Sequence, residues 1–517
     1  MGKTSWASLP RKDQLFLLFL CRLFDFMQIA TFQTVCYYQL KSFDLTLPET
    51  TLSWQTGIAI GAFTAAQICT SVLWGSCADK DWCGRKPVLL IGLFGTAISC
   101  LGSAFAQSFY QMVLFRVIGG LLNGTVGIVR TMLSEVIVEK RFQSRAFSLL
   151  SLSFNVASFL GPLVAGALSG PPEVDPTLQN SESRWLQRYP YALPSLVSAG
   201  TMFVLGVVVL NFTEETAKHL QPTGSMRAKI QSLIRGFGWQ LGKPSGQEYS
   251  PLMQEASDDI ADATEFREIN SPISEDPSSS NRQPQRKPQQ KSVSIWTFSF
   301  IMTLLSQAIF DFHMGAFTAL WPLFLSSPRT QISDGGSETH AGGGLGMPIM
   351  GVGVAASILG AIGMVIQIFV YPRIHDLMGT VKSYRYFSLL FPIAYFAFPF
   401  IRAIRIETGI WIAIIFILFI HVTGRVFVIP ATLMVLNNSA PHPMLLGKVH
   451  GIGQTTSAAF RTLGPFFAGY LYEFGLRVDS VIIPWWIIAG LGIMGSAAAQ
   501  FVRDGAVPVA VVVDHEE

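Results

Sequence analysis

The sequence predicts an all-α membrane protein in which twelve transmembrane helices form two pseudo-symmetric six-helix bundles. Three observations lead to this fold class. Of the 517 residues, 50% are hydrophobic and only 13% are charged, compared with about 25% charged residues in soluble domains. Long apolar segments alternate with short polar ones, and one long polar insert divides them into two equal sets. Weak repeats occur in the same order on both sides of that insert.

Each predicted span contains the roughly 20 mostly apolar residues that a helix needs to cross a bilayer. The spans are centred near residues 27, 63, 97, 123, 157, 201, 309, 360, 394, 422, 461 and 492. The predicted parts of the chain are a cytosolic N-terminus (1–14), two bundles (15–212 and 293–503), an insert (213–292) and a cytosolic tail (504–517). The insert contains SEDPSSSNRQPQRKPQQK, a Pro-, Ser- and Gln-rich stretch that predicts a disordered cytosolic linker.

Basic residues in the short loops predict the orientation of the spans. The loops after spans 2, 4 and 8 lie on one side with the N-terminus and the linker, and they contain Lys80, Arg85, Lys86, Lys140, Arg141, Arg145, Arg373, Lys382 and Arg385. This side is therefore predicted to be cytosolic. We expect an integral, multi-pass protein of the plasma membrane rather than of the vacuolar membrane. Cys77 and Cys83 have no second cysteine pair or histidine nearby, so we interpret them as incidental rather than as metal ligands.

Four short matches relate the two halves of the chain. FDF in span 1 recurs in span 7, RV in span 4 recurs in span 10, and GPLVAG in span 5 recurs as GPFFAG in span 11. A fainter match relates the loops after spans 2 and 8, through Asp79 and Gly84 in one and Asp376 and Gly379 in the other. The repeats imply a pseudo-two-fold axis along the membrane normal, which in transporters places the substrate site between the halves near the midplane.

Motifs at the loop after span 2 and in spans 4 and 5 carry a family resemblance. WGSCADKDWCGRKPV resembles the loop signature of the major facilitator superfamily, with two extra residues before its second glycine; the matching positions are Gly75, Asp79, Lys80, Gly84, Arg85 and Lys86. FRVIGGLLNGTVG resembles the span 4 motif of proton-coupled branches, and SFLGPLVAG resembles the antiporter motif of the drug:proton antiporter branch. The chain is most similar to the fungal and plant group that includes the zinc-induced facilitators.

This resemblance implies roles for two of the motifs. In the family, the loop after span 2 latches the two halves in the outward-facing state, together with an acidic residue at the cytosolic end of span 4, here Glu135. The alternative is a topology anchor with no conformational role. Gly161, Pro162 and Gly166 carry the antiporter motif, for which a direct role in coupling and plain helix packing remain alternatives.

Charged residues inside predicted spans indicate the proton-coupling residues. Each costs roughly 2.5 to 3.5 kcal/mol near the bilayer centre, so they should face the bundle interior and pair. We expect Asp25 of span 1 to pair with Arg116 of span 4 and to exchange a proton during the cycle; a static ion pair is the alternative. Asp311 and His313 of span 7 form a second candidate, since histidine titrates near neutral pH.

Polar and aromatic side chains suggest a substrate cavity between the halves. The candidates are Arg22, Phe26, Gln67, Asn123, Phe310, Gln367 and Gln454. For the polar members, hydrogen bonding between helices is the alternative. Arg130, Arg425 and Arg461 lie in the cytosolic halves of their spans, and we expect at least two of them to snorkel or pack rather than to bind an anionic substrate.

The predicted function is proton-coupled export of small organic molecules, either xenobiotics or a secondary metabolite, by alternating access. Two alternatives remain: proton-coupled uptake or vacuolar transport of a nutrient or metal chelate, and a non-transporting sensor. No glycine-rich phosphate-binding loop is present, so neither an enzyme nor an ATP-driven pump is expected. We expect protons, a small-molecule substrate and the lipid bilayer as partners, no nucleic acid, no cofactor or metal, and a monomer.

Overall fold

The computed structural model describes residues 10–80, 82–137, 140–169, 188–216, 296–329, 343–439 and 446–502. All the described residues belong to one compact unit, which contains Met1–Thr223 with Ser294–Glu517. Residues 224–293 lie outside the described residues, as does most of the predicted linker.

Six spans form the N-terminal half, and each is centred close to its predicted position. Their helices are span 1, Lys12–Phe43; span 2, Glu49–Ala78; span 3, Arg85–Ala104; span 4, Phe109–Leu122 and Thr125–Val136; span 5, Lys140–Leu168; and span 6, Ala192–Phe212. Span 4 is thus made of two shorter helices, which the apolar pattern did not predict.

The C-terminal half also has six spans, of which two are irregular. Their helices are span 7, Phe298–Ser326; span 8, Ile349–Val365, the π-turn Ile366–Val370 and Tyr371–Met378; span 9, Thr380–Ser388, Leu390–Ala397 and the 3-10 turn Phe398–Ala403; span 10, Glu407–Asn438; span 11, Leu446–Arg477; and span 12, Ile482–Gln500. The predicted all-helical fold is confirmed.

Span 11 differs from the other spans in its polarity. Eleven spans of the described chain are long and apolar enough to cross a bilayer. Span 11 has 32 residues but carries many polar side chains, among them Gln454, Ser457 and Arg461. It packs against spans 2 and 7. A span that faces protein rather than lipid can retain such groups.

The glycine-rich repeats of spans 5 and 11 make equivalent contacts, which supports the predicted pseudo-symmetry. A Cβ atom added to Gly161 of span 5 would lie 2.9 Å from a backbone oxygen of span 1, and one added to Gly464 of span 11 would lie 2.6 Å from a backbone oxygen of span 7. The later glycines reach the opposite half: Gly166 lies against span 8 and Gly469 against span 2. Span 5 therefore packs on span 1 of its own half and on span 8 of the other half. Span 11 packs in the same way on span 7 of its own half and on span 2 of the other half.

The two halves meet closely at their outer ends, the side predicted to be extracellular. A Cβ added to Gly57 of span 2 would lie 2.8 Å from the Cα atom of Gly469 in span 11. The Tyr38 hydroxyl of span 1 donates a hydrogen bond of 2.5 Å to the carbonyl of Met347, which precedes span 8. Such close backbone approach is typical of helix pairs in membranes that pack through small residues.

At the inner ends, the side predicted to be cytosolic, spans 4 and 11 leave open space. A Cβ added to Gly127 or Gly451 would meet no atom within 4 Å, and both glycines are exposed. Since the outer ends are in contact and the faces of Gly127 and Gly451 border open space, we interpret this open region between spans 4 and 11 as an inner cavity on the predicted cytosolic side.

Candidate functional site

Asp25 lies at the centre of a polar cluster inside the N-terminal half. Its side chain is 2% exposed, and it forms an ion pair with Arg22, one turn earlier in span 1. Asn123 Nδ2 donates a hydrogen bond of 2.9 Å to Asp25 Oδ1, and the Thr125 hydroxyl donates one of 3.0 Å to Oδ2. A buried carboxylate is costly unless it is paired and hydrogen-bonded, and here three side chains satisfy it.

The break in span 4 positions two of these three side chains. Asn123 leaves the helix with ψ at 90°, and its Oδ1 accepts a 3.1 Å hydrogen bond from the backbone N–H of Thr125, where the next helix begins. The positive end of that helix dipole therefore lies beside the Asp25 carboxylate and favours its negative charge. Broken helices of this kind build ion and substrate sites near the midplane of other transporters.

Arg116 is not the partner of Asp25, so the predicted ion pair is wrong. Its guanidinium donates a 3.2 Å hydrogen bond to Gln28 Oε1 and lies over the rings of Phe32 (4.1 Å) and Phe63 (4.5 Å). Arg116 precedes the Asn123 contact by seven residues, about 10 Å along a helix. It therefore lies too far towards the outer end.

A small cavity adjoins Arg116 inside the N-terminal half. It has a volume of about 10 Å³, and Gln28, Ser103, Arg116 and Ser198 are among its lining residues. Gln28 Nε2, Ser103 Oγ and Arg116 Nε are buried and have no protein hydrogen-bond partner. A polar cavity of this size holds about one water molecule.

Asp311 and His313 of span 7 do not form one site, because they belong to different surroundings. Asp311 lies close enough to Ser457 and Arg461 of span 11 for both to act on its carboxylate. His313 Nδ1 instead lies 3.0 Å from the hydroxyl of Tyr395 in span 9. Residues two apart on a helix point in nearly opposite directions, so the predicted pair is separated.

His313 belongs to an aromatic cluster inside the C-terminal half. The Tyr395 hydroxyl also lies 3.4 Å from His421 Nε2, and His421 stacks on Phe317 with 4.0 Å between ring centroids. Phe310, predicted to line the cavity, packs its ring against His313 at 5.5 Å and is 6% exposed. The structure therefore places Phe310 in the core of this half, not in a cavity between halves.

Arg425 joins the two halves near the middle of the bundle. Its guanidinium donates a 3.1 Å hydrogen bond to Asn155 Oδ1 of span 5 and lies 5.0 Å from the Phe154 ring centroid. Asn155 Nδ2 in turn donates to Gln367 Oε1 of span 8. Gln367 lies in the π-turn Ile366–Val370, and such turns are frequent at functional sites.

The remaining predicted cavity residues have the following places. Gln67 Nε2 donates to Asn123 Oδ1 at 3.1 Å and so supports the break in span 4. The Phe26 ring lies 4.1 Å below the Arg22 guanidinium. Gln454 Oε1 accepts a 3.2 Å hydrogen bond from Arg130 and thereby links spans 4 and 11 across the inner cavity.

A family model decides the identity of the fold. The model described as Major Facilitator Superfamily matches residues 15–465, which is most of the chain and includes both halves. The chain belongs to the major facilitator superfamily. It is therefore an integral, multi-pass membrane transporter of small molecules.

Curated relatives of this facilitator occur in fungi and plants. The "Major facilitator superfamily multidrug transporter mfsB" of Aspergillus fumigatus is 28% identical over 98% of this chain and 85% of its own length. "Protein ZINC INDUCED FACILITATOR 1" of Arabidopsis thaliana is 23% identical over 89% of this chain and 84% of its own. The predicted family and group are confirmed.

Solved structures show the same fold. The inward-open xylose transporter XylE from E. coli superposes with a TM-score of 0.64 at 12% identity, covering 96% of this chain and 98% of XylE. The human organic anion transporter MFSD10 superposes with a TM-score of 0.56 at 17% identity, covering 95% of this chain and all of that one.

The loop signature of this facilitator forms a charge network at the inner ends of spans 2, 3 and 4. Gly84 has φ at 87°, which favours glycine, and precedes span 3 directly. Arg85 forms ion pairs with Asp79 and with Glu135 of span 4. Glu135 Oε2 accepts a 2.5 Å hydrogen bond from Thr216. The predicted contact between the loop and Glu135 is thus present.

The residues after span 6 complete this network, which sequence reasoning missed. The Glu215 carboxylate accepts hydrogen bonds from the backbone N–H groups of Arg85 (3.0 Å) and Lys86 (2.9 Å). These groups open the helix of span 3 and lack partners within it. Glu215 was predicted to lie in the disordered linker (213–292), and the sequence around it gave no signal of this contact. Lys80 is exposed, and a Cβ at Gly75 would meet open space.

The antiporter motif of span 5 packs between span 1 and span 8. The Thr31 hydroxyl of span 1 donates a 3.2 Å hydrogen bond to the carbonyl of Gly161. A Cβ added to Gly353 of span 8 would lie 2.5 Å from the Pro162 carbonyl and 3.1 Å from the Gly166 Cα atom. The motif thus connects the helix that carries Asp25 to the other half of the transporter.

The two cysteines of the loop after span 2 and the arrangement of possible metal ligands also bear on the predictions. The thiols of Cys77 and Cys83 lie 3.3 Å apart in the loop after span 2. Burial, with the neighbouring Cys77 thiol, raises the pKa of Cys83 to about 11. Among the residues described, no group of three or more His, Cys, Asp or Glu side chains is arranged to hold a metal ion.

Proposed function

We propose that this facilitator exports small organic molecules in exchange for protons, and that Asp25 carries the proton. One observation carries the proposal: a buried carboxylate, paired with Arg22, at the positive end of a broken helix next to an inward-opening cavity. Three relatives support export as the direction: the multidrug transporter mfsB, the efflux pump azaK (34% identical over 172 residues) and a tetracycline resistance protein.

Electrostatics links the proton on Asp25 to the shape of the cavity. A proton on the carboxylate removes the charge that holds Arg22, and a buried unpaired guanidinium is costly. Arg22 then moves towards the water-accessible space in which Arg130 and Arg461 lie. The proton on Asp25 thus changes the charge that a substrate meets, which links proton binding to substrate binding.

The motifs of span 5 and of the loop after span 2 have proposed roles in this cycle. The Thr31 hydrogen bond to Gly161 transmits a shift of span 1 to span 5, and span 5 contacts span 8 of the other half. The network of Asp79, Arg85 and Glu135 is the candidate latch at the inner side. Both halves of the cavity belong to one chain, so we propose a monomer. Export from the cell, as proposed, requires the plasma membrane.

The test is efflux from cells that express the wild type or Asp25→Asn, using a panel of fluorescent amphiphiles with and without a proton uncoupler. We expect the uncoupler and the substitution each to abolish accumulation against a gradient. Exchange of labelled for unlabelled substrate should survive in Asp25→Asn, because exchange requires no net proton movement. The matched control is Asp44→Asn, since Asp44 is exposed in an outer loop. Uphill efflux that survives both treatments contradicts the proposal.

A further inference from the structure

Three guanidinium groups from both halves converge on the inner cavity. Arg22 lies in span 1, Arg130 in span 4 and Arg461 in span 11, and their charges lie close enough to act on one another. Like charges repel strongly in surroundings of low dielectric. An arrangement of three cations therefore needs a compensating negative charge nearby.

The cavity gives a dissolved molecule access to two of these groups. Arg130 and Arg461 lie in the interiors of their helices, yet their side chains are exposed. Arg130 does not face lipid, because its guanidinium donates to Gln454 of the opposite half. Gly127 and Gly451 each precede a cavity residue by three positions, and both border open space. Residues three apart share a helix face, so Arg130 and Gln454 lie on the helix faces that border the inner cavity.

The carboxylates of this region do not balance its cations. Asp25 is engaged by Arg22 within hydrogen-bonding distance. Asp311 lies near enough to Arg461 to interact with its charge, but the described chain shows no ion pair within 4.0 Å between them. Arg130 donates its hydrogen bond to the neutral side chain of Gln454. Three cations thus face two carboxylates. Guanidinium groups bind carboxylates and phosphates through two parallel hydrogen bonds.

We propose that the substrate is an organic anion, whose carboxylate binds in the inner cavity between Arg130 of span 4 and Arg461 of span 11. The inference rests on the proposed transport function and names its substrate class. A ligand that bridges the two arginines contacts both halves at once. Binding therefore draws the inner ends of spans 4 and 11 together, which is the movement that closes the cavity before outward opening.

The test compares two probes that differ only in the charged group, dansylglycine and its uncharged amide, dansylglycinamide. Inside-out vesicles containing the wild type should take up dansylglycine with at least a tenfold lower half-saturating concentration than the amide. Arg130→Gln and Arg461→Gln should each raise that concentration for dansylglycine about tenfold and leave that for the amide unchanged. Arg461→Lys should retain part of the preference. Arg477→Gln, an exposed arginine at the outer end, is the control.

Equilibrium binding to the purified protein in nanodiscs separates this inference from the transport proposal. Uptake of the amide as efficiently as dansylglycine, or a preference unaffected by both Arg→Gln variants, overturns the anion site and leaves proton-coupled export intact. If neither probe is transported, the export proposal fails for this class of molecule. Equilibrium binding of the two probes then tests the anion site on its own. Tighter binding of dansylglycine that Arg130→Gln weakens supports the site, whereas equal binding of both probes contradicts it.

Discussion

Asp25 connects spans 1 and 4 of the N-terminal half through its two carboxylate oxygens. Span 1 contributes Arg22, and the break in span 4 contributes Asn123 and Thr125. The same Asn123 accepts from Gln67 of span 2. A change in the protonation of one carboxylate therefore alters hydrogen bonds in spans 1 and 4 together.

Substitution of Asn123 tests whether this connection matters. Asn123→Ala removes a donor to a buried charge, an interaction worth about 1.5–3 kcal/mol, so we expect uphill efflux to fall about tenfold or more. Asn211→Ala is the control, because Asn211 is exposed near the inner end of span 6. Efflux within twofold of the wild type, with both variants folded by size-exclusion chromatography, would count against the role of Asn123.

At this scale the sequence identified the buried charges but not their partners. Asp25, Arg22, Arg116 and Asp311 are all buried, as their cost in a membrane requires. The pairing of Asp25 with Arg116 failed because apolar spans show depth only to within a turn or two, and Arg22 at position i−3 was the nearer cation. The Asn123-Gly124 dipeptide, a common turn signal, could have indicated the break.

At the outer ends, helices of the two halves contact each other through glycine residues. The lack of a side chain at these positions determines which substitutions the contact tolerates. Gly57 of span 2 leaves no room for a side chain beside Gly469 and the carbonyl of Pro465. The sequence singled out Gly469 only as part of the repeat GPLVAG/GPFFAG and did not predict which span it contacts. The π-turn of span 8 and the polarity of span 11 depend on contacts between distant spans, so no local pattern indicated them.

A larger residue at Gly57 should prevent closure of the outer ends. In Gly57→Leu the first added atom alone would lie 2.6 Å from the Pro465 oxygen, so we expect the outward-open state to accumulate and turnover to fall at least tenfold. The measurement is labelling of a cysteine introduced at Ser53 by an impermeant maleimide added outside, in a background without native cysteines. Gly200→Leu is the control, because Gly200 borders open space. Unchanged labelling would contradict the packing argument.

For the molecule as a whole, the sign of the substrate charge determines how membrane potential acts on transport. Export of a monoanion in exchange for one proton moves two positive charges inward. At 100 mV, inside negative, each contributes about 2.3 kcal/mol, hence about 4.6 kcal/mol in total. We therefore expect a potassium diffusion potential to drive uphill movement of dansylglycine without a pH gradient. Dansylglycinamide, which moves with one charge only, should respond half as strongly in free energy. Equal accumulation ratios for both probes would contradict electrogenic anion export.

Two kinds of cation coexist within the spans of this architecture, and they differ in their contact with water. Arg425 is 4% exposed and joins spans 10, 5 and 8 through Asn155 and Gln367. Its dehydration therefore takes place on folding. Arg130 and Arg461 instead have exposed side chains, and under alternating access they lose water each time the inner side closes. Substitution of Arg130 or Arg461 should therefore change turnover first, whereas loss of Arg425 would first reduce the yield of folded protein.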